Sequence, residues 1–165
     1  MTPQEFKNSI TSQPIIQDFD DFLSYFQQNQ VLLTTAGYLG PKDCFALNDG
    51  MYYKEIGVTP KTRLVKYPLL ILFIELANAG NFLEIVPIKS KRGFQCNHEL
   101  ISVYNSMNSA EKYLHLLKLL IVESNFENIH NDEHRTPKSM DVQRLFDLAF
   151  RVKSDSAFMF FSCPI

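Results

Sequence analysis

Three groupings of residues have types and spacing that could do chemistry. His130, Glu133 and His134, in the stretch HNDEH (130–134), set two imidazoles four positions apart with a carboxylate beside the second. On one helical turn, both imidazoles could bind zinc while the carboxylate acted as general base in a zinc-dependent hydrolase. That chemistry needs a helix and a third ligand downstream. Asn128, Asn131 and Asp132 work against a helix and Pro137 follows. No glutamate occurs after Glu133, which leaves only Asp141 or Asp147. The stretch reads as a polar surface loop, because short motifs of this kind often match by chance. The hydrolase is the most remote of three functional alternatives.

Cys96 and His98 form the second grouping. Two positions apart on a strand, they would share a face. A thiolate–imidazole pair also needs an orienting group and an oxyanion site nearby, and the local sequence supplies neither. They read as a buried thiol beside a helix-start histidine. His115 reads as a residue at the boundary of an apolar helix face. The six glycines are scattered and form no phosphate-binding loop. The expectation is a protein that is not an enzyme and needs no cofactor.

The third grouping is basic. Lys89, Lys91 and Arg92 lie between two strand-like stretches, and Lys61, Arg63 and Lys66 precede an apolar segment. Residues 60–95 carry net charge +4, against −4 for residues 1–59 and −2 for residues 96–165. The whole chain, at −2, exerts no general pull on nucleic acid. Three cations at a hairpin tip could neutralise about three phosphates, enough for weak, salt-sensitive, non-specific binding to DNA. The favoured reading is that they keep a strand edge soluble.

Several elements must position these groups. DFDDFLSYFQQN (18–29) has Phe19, Phe22, Leu23 and Phe26 at helical spacing, with Asp18, Asp20 and Asp21 suited to a helix N-terminus. VLLT (31–34) is a short strand. Pro41 opens a short helix over 41–53, weakened by Gly50. Residues 55–63 are a loop. YPLLILFIELANAG (67–80) has proline at its start and glycine at its end, the asymmetry helices favour. Its apolar residues cover nearly the whole circumference, predicting burial on all sides. NFLEIVPI and GFQCN flank KSKR as a hairpin with a long tip, and Pro87 marks an edge. Helices follow over 98–106, 108–124 and 139–152. In the second, Asn108 and Glu111 are spaced as a capping box, and Tyr113, Leu114, Leu116, Leu117, Leu120 and Ile121 form a broad apolar face. The apolar ending, 157–165, either packs back as a strand or belongs to a longer protein.

YFQQNQVLLTTAGYLGPKDCFALN (25–48), YPLLILFIELANAGNFLEI (67–85) and SAEKYLHLLKLLIVESNFENI (109–129) carry a resemblance. A strand leads into Leu33–Thr34. A helix follows the Gly37-x-x-Gly40-Pro41 turn. Another starts at Tyr67–Pro68, and a last one carries Glu111–Lys112–Tyr113. Together they resemble the winged-helix-like region of uncharacterised bacterial proteins named after an open reading frame on an Ri plasmid. The resemblance implies a fold and no catalytic residue.

The expected class is α+β, mainly α-helical. A winged-helix-like core of three helices and a small antiparallel sheet is extended by C-terminal helices. The expected organisation is an arm over 1–14, the winged-helix-like unit over 15–107 and a helical extension over 108–165. The three cysteines, an odd number without metal-like spacing, point to a reducing compartment. The N-terminus lacks a signal-peptide pattern, and the longest apolar run is too short to span a bilayer. A cytoplasmic protein without a membrane partner follows. Aromatic residues, at 13%, favour contact with a protein partner or a second copy. Weak DNA binding through the six cations is the alternative.

Overall fold

The computed structural model describes residues 13–120. The arm up to residue 12, the helix expected over 139–152, the tail 157–165, and His130, Glu133 and His134 lie outside the described residues. Five α-helices and one antiparallel hairpin make up the described fold, a mainly α-helical α+β architecture.

Helix α1 spans Pro14–Gln28, four residues earlier than the acidic run suggested. Pro14 presets the backbone angle of the first turn, and Ile15 and Ile16 join Phe19, Phe22, Leu23 and Phe26 on the buried face. Asp18 is therefore inside the helix, and the first turn holds no acidic residue. Asn29 ends α1 by donating both its backbone N–H and its side-chain amide to the Tyr25 carbonyl. The expected strand over 31–34 shrinks to a short paired segment. Leu33 N–H donates to the Arg92 carbonyl at 2.8 Å, and Phe94 N–H to the Val31 carbonyl at 3.0 Å. The chain then folds back on itself, Thr34 N–H meeting the Tyr38 carbonyl.

Helix α2 spans Pro41–Gly50 and stops at the glycine. A long connection with one 3-10 turn, Leu64–Lys66, leads to helix α3, Pro68–Ala79. Leu69, Leu70, Leu72, Phe73, Leu76 and Ala77 of α3 are buried. The opposite stripe, Ile71, Ile74, Glu75 and Asn78, is half-covered, so the helix is less enclosed than its composition predicted.

Strands β1, Leu83–Ile88, and β2, Lys91–Cys96, pair from Leu83–Cys96 to Ile88–Lys91. The loop between them is only Lys89–Ser90, so the expected long tip is corrected. Lys91 and Arg92 extend the ladder because Pro87 and Ile88 still have partners. Pro87 lies on β1, the edge strand, where its missing N–H costs no ladder bond. Gly93 lets the 31–33 segment approach, since a Cβ there would lie 2.7 Å from the Val31 carbonyl oxygen.

Helix α4, His98–Ser106, is capped by Asn97, whose side chain accepts from Leu100 N–H. Helix α5, Ser109–Lys118, carries the expected capping box. Asn108 accepts from Glu111 N–H, and Glu111 accepts from Asn108 N–H. Leu116, Leu119 and Leu120 are buried, whereas Leu114 is exposed and does not join the apolar face assigned to it.

Helices α1, α3 and α4 and the residue before β1 meet on one aromatic cluster. The Phe19 ring lies 5.9 Å from Phe22, 5.2 Å from Phe73, 6.2 Å from Phe82 and 5.7 Å from Tyr104. Three of these four contacts are edge-to-face, the geometry that suits aromatic quadrupoles.

Candidate functional site

Only two polar or charged residues, Asp18 and Asn48, are buried among the described residues. Both hold the connection between α2 and α3. The Asp18 carboxylate, at mid-α1, accepts Tyr52 N–H on Oδ1 at 2.6 Å and Tyr53 N–H on Oδ2 at 3.0 Å. Burial pushes the Asp18 carboxyl above its usual pKa, although the two backbone donors pull the other way. The Asn48 side-chain oxygen accepts Glu55 N–H at 2.8 Å, and its amide donates to the Glu55 carbonyl at 3.0 Å. Burying a polar group costs free energy unless it is hydrogen-bonded; here the bonds set the loop's backbone.

The rest of the loop is fastened in the same region of the core. Tyr53, Val58 and Leu64 pack against the core, and a Thr59–Thr62 turn closes between them. Tyr52, Ile56 and Val65 of the same connection face solvent, at 71%, 94% and 71% exposure. Lys61, Arg63 and Lys66 are exposed on the same connection. Residues 56–74 contain no aspartate or glutamate. The result is a preset loop that presents apolar side chains among cations.

Lys89, Lys91 and Arg92 are exposed on the hairpin. The Arg92 guanidinium lies over Gly37, its terminal nitrogen 2.9 Å from where a Cβ would stand. The six cations thus fall on two elements, three on the loop and three on the hairpin. None takes part in an ion pair among the described residues, where the pairs are Lys54–Asp49 and Lys112–Asp20.

Sequence reasoning missed a second feature. Lys112 Nζ donates to Asp20 Oδ2 at 2.7 Å and lies 4.8 Å from the centre of the Tyr104 ring. The Lys112 side chain is only 11% exposed. Among the described residues, the Tyr104 hydroxyl and Asp20 Oδ1 are buried without a hydrogen bond of full geometry. Burial first, and then the Asp20 charge, push the Tyr104 phenol far above its usual pKa. This pair borders a half-open cavity of about 530 Å³ between the start of α1 and the α4–α5 junction, also lined by Ile16, Met107 and Ala110. Asp20 was readable only as a helix-end charge and Lys112 only as a helix residue. Nothing in their sequence spacing, 92 positions, joins them.

Cys96 is half-buried at the end of β2 and His98 is exposed at the start of α4. Both line a shallow depression with Glu84, Gln95 and Asn97. Burial raises the Cys96 thiol pKa, opposite to what a nucleophilic thiolate needs. Cys44 is fully buried and its pKa is pushed up to about 12, by burial first and the Asp43 charge second. Among the described residues no helix is long and apolar enough to cross a membrane, and no three metal-ligating side chains gather. Comparison with protein-family models, curated proteins and solved structures finds no match for the chain.

Proposed function

We propose that the chain is a non-enzymatic interaction module of winged-helix type that docks a protein through the connection between α2 and α3. One observation carries this reading. The two buried polar residues of the described core are both used to fix a loop whose Ile56 side chain is almost fully in solvent. Connections longer than about 12–15 residues without regular structure are uncommon and usually functional. Fixing a loop beforehand lowers the ordering cost of binding. The winged-helix element order, with the 31–33 segment pairing onto β2, supports the fold part of the proposal. So does the resemblance to the Ri-plasmid reading-frame family. Cys44 and Cys96, unpaired among the described residues, fit a cytoplasmic setting.

The second reading is salt-sensitive DNA contact through Lys89, Lys91 and Arg92, favoured by their exposure and lack of ion pairs. Against it, no residue of α3, the helix in the base-reading position, is exposed. Reading base edges requires side chains that reach into the groove. Fluorescence anisotropy with a generic labelled duplex at low and moderate salt separates the two. The docking module gives no appreciable binding at either salt. DNA contact gives binding that falls steeply with salt, and falls again in the Lys91→Ala/Arg92→Ala variant.

A further inference from the structure

Building on the proposed docking role of the loop, we infer that its occupant is a second copy of this chain, seated through the outer face of α4. That face is chemically opposite to the loop. Glu99, Leu100 and Val103 are exposed, and Val103 follows the first two by four and three positions, so it lies between them on one side of the helix. Ile101 and Tyr104 hold the other side in the core. Glu84 is exposed on β1 and joins His98, the first residue of α4, in the same depression. Residues 93–111 contain no lysine or arginine, just as residues 56–74 contain no aspartate or glutamate. One surface thus offers Ile56 and Val65 with Lys61, Arg63 and Lys66. The other offers Leu100 and Val103 with Glu99, and Glu84 lies on the hairpin beside the first residue of the same helix.

The charges complement each other across copies, and each surface supplies apolar side chains that gain by leaving water. None of the five charged side chains, Lys61, Arg63, Lys66, Glu84 and Glu99, is committed to an ion pair among the described residues. The contact joins two different patches, so it is isologous only if each copy presents both patches to the other and is heterologous otherwise. It closes as a dimer if the second copy returns the same contact, and extends otherwise. With two apolar residues a side, the interface is small, and association belongs in the micromolar range or weaker.

The test is light scattering or sedimentation on the full chain across a wide concentration range, at low and high salt. The expected result is a mass that rises about twofold or more with concentration and rises less at high salt. The Lys61→Glu/Arg63→Glu variant and the Glu84→Lys/Glu99→Lys variant should each remain single chains. Mixed, they should regain the heavier species, because the acidic loop of one then meets the basic face of the other. Recovery on mixing is beyond what a mere folding defect could produce. A single-chain mass at every concentration overturns the inference, as does association that both reversals leave unchanged. Either failure concerns only the occupant, since a loop that docks a different protein would still form contacts from position 56.

Discussion

The amide of Tyr52 donates to the carboxylate of Asp18 at 2.6 Å, across 34 positions of sequence. The neighbouring Tyr53 amide takes the second oxygen. One buried side chain on α1 thereby determines where the chain goes after α2. Replacing Asp18 by Ala leaves two part-buried amides without their acceptor, at about 1–3 kcal/mol each, and removes a carboxylate that burial penalises, so the net cost should be about 2–4 kcal/mol. Denaturant unfolding would read the loss. Amide exchange at Tyr52 and Tyr53 should quicken more than exchange in α3 if the loop is released locally.

Lys112 and Asp20 tie α5 to α1. Lys112→Met leaves a part-buried carboxylate uncompensated and should lower stability by about 1–3 kcal/mol. Adding Asp20→Asn should restore part of that loss. A double-mutant cycle in urea would show a positive coupling; additive losses would mean that the pair contributes no interaction of its own.

Glu75, half-covered on α3, makes no hydrogen bond or ion pair with the described residues, and burial alone raises its pKa above 4.5. A carboxyl whose folded pKa is raised is penalised while ionised. The penalty is full above the folded pKa, fades as pH falls through it, and vanishes below the unfolded value. Glu75→Gln should therefore melt higher than the parent at neutral pH, and the difference should close as pH approaches 4.5. A gap that widens on acidification would contradict the sign.

Lys89 opens the two-residue hairpin turn with φ +55°, in the left-handed region that disfavours a Cβ. Lys89→Gly should stabilise the fold by about 0.5–1 kcal/mol, the left-handed penalty being offset in part by glycine's greater unfolded freedom. Gly93→Ala should do the opposite, because its Cβ would meet the Val31 carbonyl oxygen and the Ile88 side chain, each at 2.7 Å. Thermal melts of the two variants should move in opposite directions.

Local chemistry made much of the helical framework legible. Proline and glycine bracketed α3, and Asn108 with Glu111 capped α5, both within reach of neighbouring residues. Gly50, read only as weakening a helix over 41–53, in fact ends α2, and the Asn97 cap on α4 was not read. The hairpin tip was misjudged because KSKR looks uniformly polar, while register depends on what Lys91 and Arg92 pair with across the sheet. Asp18 was misplaced for a similar reason. A run of aspartates suits a helix start, and only the fold shows that one of them turns inward to meet backbone 34 residues away. The cations were visible as charges. That three of them share a preset loop with Ile56 and Val65 follows from Asp18 and Asn48, whose partners are distant in sequence or on the backbone.

The most direct test of the docking loop is photo-crosslinking with a photoreactive residue in place of Ile56, beside a control carrying it at the exposed Lys118. The account predicts a discrete protein adduct from position 56, identified by mass spectrometry, that the control lacks and that Arg63→Glu abolishes. An adduct to the α4 face of a second copy would also support self-association, and an adduct to one different protein would support docking alone. No discrete adduct from position 56, or the same adducts from both positions, would contradict the account.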